Sequence, residues 1–133
     1  MPSLAAISWD QVSSASVLET ERLTLGPLAE RHYPVVRDFY ASPRSSFVGG
    51  PQDANQSWRI LAGEIGHWTL RGYGRFAVET KETGAFVAIV GPWNPEGWPE
   101  PELGWDVMNG HEGHGYATEA AVAALRRLDE DMG

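Results

Sequence analysis

Residues Glu102 to Ala124 carry the clearest chemistry of the chain. They read Glu-Leu-Gly-Trp-Asp-Val-Met, then Asn-Gly-His-Glu-Gly-His-Gly, then Tyr-Ala-Thr-Glu and an alanine-rich run. The order is that of a short strand, a glycine-bearing loop and a helix. The first N–H groups of a helix have no intrahelical partner, and the positive end of the helix dipole stands behind them. Gly113 and Gly115 let the main chain turn tightly and approach a ligand. A strand feeding such a loop is an anion site, most naturally for a phosphate or pyrophosphate. His111 and His114 stand three apart here but lack further ligands nearby, so no metal site is expected. They read as solvated loop residues, His114 with a donor to offer a phosphate. Tyr116 reads as an aromatic packed beneath the loop, and Glu119 as a partner of the helix dipole.

Other elements must position that loop. Glu21-Arg-Leu-Thr-Leu-Gly-Pro-Leu28 alternates and then stops at Gly26-Pro27, as a short strand does. Tyr33, Val36, Phe39 and Tyr40 recur at helical spacing within Ala29 to Tyr40, and Pro43 closes that helix. A loop of small residues follows from Ser42 to Gly50. Asp53 is the expected N-cap of a second helix reaching about Leu70, with Trp58, Leu61, Ile65 and Trp68 on one stripe. Gly72-Tyr-Gly74 ends it. Arg75 to Thr80 and Ala85 to Val90 flank Lys81-Glu-Thr-Gly84 and predict a β-hairpin. Gly91 to Pro101 holds four prolines and two tryptophans and predicts an irregular connection. Strand four begins near Glu102, and the last helix runs from about Ala117 to Glu130. His32 and His67 are expected to be structural or exposed.

Bulk properties narrow the function classes. A chain of 133 residues fits one domain, here a Ser- and Ala-rich arm over 1–18 and a folded unit over 19–133. Eighteen acidic against ten basic side chains give a net charge of −8. That balance leaves no basic footprint for nucleic acid and disfavours an anionic membrane surface. The absence of cysteine removes disulfides and thiolate chemistry. Met1 to Leu18 has neither a basic n-region nor a sustained apolar run, and no segment approaches the ~18 apolar residues of a membrane span. The expectation is a soluble, cytoplasmic protein.

Four further stretches fall into a familiar order: Glu19-Thr-Glu-Arg-Leu-Thr-Leu25, Phe47-Val-Gly-Gly-Pro51, Gly66-His-Trp68 with Arg71-Gly-Tyr-Gly74, and above all Glu112-Gly-His-Gly-Tyr-Ala-Thr-Glu-Ala120. With these residues the chain resembles the GNAT N-acetyltransferase superfamily, in particular the branch that includes the ribosomal-protein N-terminal acetyltransferases. The superfamily's acetyl-CoA signature has Gln or Arg, two residues, Gly, one residue, then Gly or Ala. Here those places hold Glu112, Gly115 and Ala117.

The resemblance implies an α/β fold with a central mixed, mainly antiparallel sheet flanked by helices. It also implies an N-acetyltransferase that moves the acetyl group of acetyl-CoA to a primary amine, of a small molecule or a protein N-terminus, by direct attack. Val107 and Met108 then fall where backbone groups bond the pantetheine arm. Glu112, Gly113, His114, Gly115, Tyr116, Ala117 and Thr118 fall where the pyrophosphate lies. Glu102 becomes the candidate general base, with Glu100 a weaker substitute; the alternative for Glu102 is an edge carboxylate in water. Backbone N–H groups would polarise the carbonyl, and an acid, usually a tyrosine, would protonate the thiolate. Trp93, Trp98, Arg44 and Phe47 are the expected acceptor-side residues, and Trp58, Trp68 and Trp105 are expected in the core.

Two departures stand out. Glu112 replaces the usual Gln or Arg and puts an acid near a polyanion. The family also continues beyond this helix with a strand, a helix and a closing strand pair, which supply the acid tyrosine. Asp129, Glu130 and Asp131 carry the wrong sign for a helix C-terminus. The sequence is therefore expected to be incomplete relative to its family, with an open last strand and a homodimer or other association through it. A non-catalytic acyl-CoA binder, or a truncated remnant of the fold, is the main alternative. A nucleotide module is remote, because the loop lacks the Gly-Lys-Ser/Thr ending of a P-loop.

Overall fold

A computed structural model describes residues 17–132. The arm expected over 1–18 lies outside those residues apart from its last two. Five strands form one sheet in the order β1-β2-β3-β4-β5: β1 (Leu18–Glu19), β2 (Leu23–Gly26), β3 (Phe76–Thr80), β4 (Phe86–Trp93) and β5 (Glu102–Val107). Every pairing is antiparallel. The expected hairpin is β3–β4, and β5 pairs with its second strand. Among the described residues no strand covers the other edge of β5.

Among the described residues three α-helices cover the two faces: α1 (Tyr33–Ala41), α2 (Ala54–Arg71) and α3 (Tyr116–Met132). One face of the sheet buries Leu23, Leu25, Val78 and Val90 against Ala120 and Ala124 of α3. The other buries Ala77, Phe86 and Ile89 against Val36, Phe39 and Tyr40 of α1 and Leu61 of α2. Each fully buried Val, Leu or Phe contributes roughly 1.5–3 kcal/mol, so the sheet is fixed from both sides.

Helix α2 starts where Asp53 predicts. The Asp53 carboxylate accepts from the Gln56 N–H at 2.8 Å, and Gly72 at φ +79° closes the last turn. Its buried face is displaced from the apolar stripe. Leu61 is buried and Trp68 packs against the core, donating from its indole nitrogen to the Arg75 carbonyl at 2.9 Å. Trp58 is 48% exposed, and Ser57, Glu64 and His67 are buried instead. The stripe misplaces the face because those polar residues each find a partner inside: Ser57 the Asp53 carbonyl, Glu64 Arg75, and His67 the Tyr73 carbonyl.

Two other expectations change. The loop after α1 is a 3-10 turn, Pro43–Val48, held by the buried Ser45 hydroxyl, which donates to the Ser42 carbonyl at 2.8 Å. Strand β4 runs on through Gly91 and Pro92 to Trp93 rather than stopping at Val90. A Cβ at Gly91 would stand 2.7 Å from backbone atoms of Gly74 and Arg75, so only glycine lets β3 begin so close. Pro92 faces Leu103. That position exchanges no hydrogen bond with β5, so the missing N–H costs nothing there. Trp105, expected in the core, is 57% exposed because β5 is an edge strand.

His32 supplies a pH test. Its ring is buried, Nδ1 accepts from the Ala29 N–H at 2.9 Å, and Nε2 faces Glu79 at 3.4 Å. Burial, then the neighbouring Arg31, push its pKa below the ordinary 6.5. The folded state therefore binds a proton less readily than the unfolded chain. Stability from neutral His32 is complete above the unfolded pKa and is lost as pH falls from there through the lower folded value. Urea midpoints should drop from about pH 7 toward 5, and His32→Gln should flatten that slope. A second decline, at lower pH, should remain from Glu79, whose carboxyl Arg31 holds below its usual range.

Candidate active site

Strand β5 organises the site. The Met108 N–H donates to the Val87 carbonyl at 2.9 Å, which sets the antiparallel alternation. Glu102, Gly104 and Asp106 therefore bond β4, while the backbone groups of Leu103, Trp105 and Val107 point to the uncovered edge. Of the two residues assigned to the pantetheine arm, Val107 offers its groups outward. Met108 is fully buried and its N–H is engaged.

Beneath β5 lies a buried ion cluster that sequence reasoning missed. The Arg75 Nε donates to both oxygens of Glu64 at 3.1 Å, its Nη2 contacts the same carboxylate, and its Nη1 meets Asp106 at 3.0 Å. All three residues are buried. The guanidinium stacks over Trp93, and it touches the space a side chain at Gly104 would fill. Burial raises the Glu64 pKa against the pull of Arg75. Burial, then the Asp106 charge, push Tyr40 up to about 12. Trp93, expected on the acceptor side, has its ring occupied by Arg75 and by His67, stacked 4.6 Å away.

The glycine loop leads from β5 into α3. Gly110, Gly113 and Gly115 all take positive φ, at +87°, +81° and +75°. The first intrahelical bond runs from the Glu119 N–H to the Gly115 carbonyl. The N–H groups of Tyr116, Ala117 and Thr118 thus open the helix, and glycine at the cap position has no side chain to cover them. Two arginines bracket the loop. Arg44, from the 3-10 turn, donates from Nη1 to the Val107 carbonyl and the Asn109 side chain, both at 2.9 Å, and its Nε forms an ion pair with Glu112 at 2.7 Å. Asn109 in turn donates to the Asp38 carbonyl of α1 at 3.1 Å. Arg22 donates to the His114 carbonyl at 3.0 Å and to Glu119 at 2.7 Å, and lies over the Tyr116 ring.

These contacts place the acids. The Glu112 backbone N–H, with Arg44, holds its carboxyl below the ordinary range. Burial works against Glu119, but hydrogen bonds from Thr20 and Arg22 hold it low as well. Glu119 thus ties the β1–β2 turn to α3 in addition to facing the helix dipole. His114 stacks on Tyr116, which packs against the core. Glu102 is exposed at the head of β5, on the same face as Asp106. The 94% exposure of Phe47 and the 42% of Trp98 leave both rings facing solvent. An open groove of about 480 Å³ lies elsewhere, between β1 and α3, bordered by Leu18, Glu19, Thr118, Val122 and Arg126. It opens at the β1 edge of the sheet and meets the loop only at Thr118, so the glycine loop, whose N–H groups from 113 to 118 have no partner among the described residues, is the better candidate for an anion.

The profile described as "Acetyltransferase (GNAT) domain" matches residues 22–133. The chain belongs to the GNAT acetyltransferase family. It is 44% identical to an acetyltransferase from Agrobacterium tumefaciens strain C58, with a TM-score of 0.80 over 87% of this chain and 68% of that one. A Bordetella pertussis protein assigned to the GNAT family is 24% identical with a TM-score of 0.75, covering 87% of this chain and 74% of that one. A GNAT acetyltransferase from Bacillus anthracis is 19% identical with a TM-score of 0.72, over 87% and 68%. These last two share the fold. No curated protein sequence matches the chain. GNAT proteins are acyltransferases that generally use acetyl-CoA as cosubstrate, and the described residues contain no helix long and apolar enough to cross a membrane.

Arg75 and Glu119 can be separated by stability measurements. Arg75→Met leaves two buried carboxylates without a counter-charge and should cost about 3–5 kcal/mol in chemical denaturation. Glu119→Ala, which removes a partly exposed network, should cost about 1 kcal/mol. Equal losses would mean that Arg75 is not a buried hub.

Proposed function

We infer that the chain is an N-acetyltransferase that carries the acetyl group of acetyl-CoA to a primary amine, and that it lies in the branch of the ribosomal-protein N-terminal acetyltransferases. The observation that carries this reading is the uncovered start of α3 at the end of the outward-facing edge of β5. The residues suit the cosubstrate. The N–H groups of Gly113 to Thr118 hold the phosphates, and the positive φ of Gly113 and Gly115 keeps side chains out of the way. The outward groups of Val107, Trp105 and Leu103 form a track that an extended arm can pair with as an added strand.

That track ends at Glu102, about 17 Å from Val107 at ~3.3 Å per residue. An acid at the head of β5, rather than one in the loop, therefore stands at the far end of an arm whose phosphates rest on the loop. Acetyl-CoA supplies the activated acyl group. Glu102 accepts the proton of the amine as its nitrogen bonds the acyl carbon and the carbon–sulfur bond breaks, directly or through a water. The exposed edge carboxylate suits either route.

The acceptor is a small amine or a peptide N-terminus, without nucleic acid, membrane or metal, in a cytoplasmic setting. A net charge of −8 favours a cationic amine by long-range attraction.

Calorimetry with CoA tests the loop. Gly115→Asp should abolish binding, because it adds a side chain at a left-handed position and a negative charge beside the pyrophosphate. Glu112→Gln should leave affinity equal or better. The reverse order would sink the assignment. In the acetyl-transfer assay, Glu102→Gln should lower kcat by roughly 10²–10⁴-fold with little change in the KM for acetyl-CoA. An unchanged kcat would return Glu102 to an edge residue in water.

A further inference from the structure

Arg44 joins three parts of the molecule at the loop. Its backbone lies in the 3-10 turn Pro43–Val48. Its guanidinium holds the last outward carbonyl of β5, at Val107, the loop residue Asn109 and the carboxylate of Glu112. It also lies over the ring of Phe39, 5.6 Å from its centroid. Nη1 makes two hydrogen bonds and Nε is held in the ion pair with Glu112. Among the described residues the Nη2 amino group donates to nothing.

The pair it forms is exposed, with Arg44 at 39% and Glu112 at 44% side-chain accessibility. Such a pair is weak and easily exchanged. An anion on the loop N–H groups would repel the Glu112 carboxylate and attract the guanidinium beside it, giving Arg44 a better partner than it has without the anion. A ligand shifts a conformational balance only through such a difference in contacts. The chain carrying Arg44 is otherwise pinned by its own bonds, from Gly50 to the Ser45 carbonyl and from Gln52 to the Tyr40 carbonyl. A pull on the guanidinium is therefore passed to a compact unit rather than absorbed by a slack loop.

Resting on the reading of the loop as the phosphate site of acetyl-CoA, we propose that Arg44 is a positioning residue coupling anion binding on the glycine loop to the order of the segment 43–50. The Nη2 donors take the phosphate as the hold on Glu112 relaxes. The Val107 carbonyl, which has a second lone pair, can keep Arg44 while the arm pairs beside it. Coupling of this kind is reciprocal, so whatever orders the segment 43–50 also tightens CoA.

Hydrogen exchange on the whole chain, with and without CoA, tests this. In the wild type CoA should slow exchange at residues 110–118 and also at 43–50. In Arg44→Gln the slowing at 110–118 should persist at saturating CoA and that at 43–50 should vanish, while the Kd for CoA rises about fivefold or more. Arg44→Lys, which keeps the charge without the fork, should recover part of the affinity. Unchanged unfolding midpoints would confirm that both variants fold. Slowing confined to 110–118 in the wild type, or retained at 43–50 in Arg44→Gln, would overturn the proposal and leave the cosubstrate site intact. No slowing at 110–118 in the wild type would overturn both.

Discussion

The site depends on one guanidinium. Arg75 sits between α2 and the sheet with a carboxylate on either side, Glu64 from the helix and Asp106 from β5. A charge this deep is tolerated only when it is paired and fully hydrogen-bonded. Arg75 therefore fixes the helix, the head of β3 and the middle of β5 to one another. Glycines at 91 and 104 leave the room it occupies. With Asp106 anchored inward, the alternation along β5 leaves Leu103, Trp105 and Val107 to turn their backbone groups outward, and that edge is the platform of the site.

The glycine loop poses the opposite problem. It must leave backbone N–H groups uncovered, so it cannot be held by the side-chain caps that usually secure a helix start. Arg22 and Arg44 secure it from outside instead, each binding a carbonyl at the margin of the loop and an acid within it or just beyond. Glu112, an unexpected acid beside the proposed anion site, is thereby charge-balanced and turned toward Arg44. The remaining attraction for an anion comes from backbone dipoles, which need no side-chain charge.

This division of labour fits acyl transfer. In the proposed reading, backbone groups recognise what all donors of one type share, while exposed side chains such as Phe47 and Trp98 are left for the acceptor. The groove between β1 and α3 lies at the other edge of the sheet, away from the proposed track along β5 to Glu102.

Local signals in the sequence were enough for the hairpin, for the start of α2 at Asp53 and for the strand–glycine loop–helix unit, because each is written within a few residues. Caps, turn glycines and alternating apolar residues act over one or two turns of chain. The burial of Glu64, Arg75 and Asp106, the bracketing of the loop by Arg22 and Arg44, and the exposure of Trp58 and Trp105 were not legible. Arg22 and Glu119 are 97 residues apart, and nothing near either of them announces the other. A polar residue on a helix enters the core only if its partner arrives from elsewhere. Whether a tryptophan is covered depends on which strand ends at the edge of the sheet. Sequence by itself determined most of the elements and the glycine-bearing strand–loop–helix unit; tertiary structure decided which charges meet, because long-range pairing is settled only when separate elements pack and exclude water.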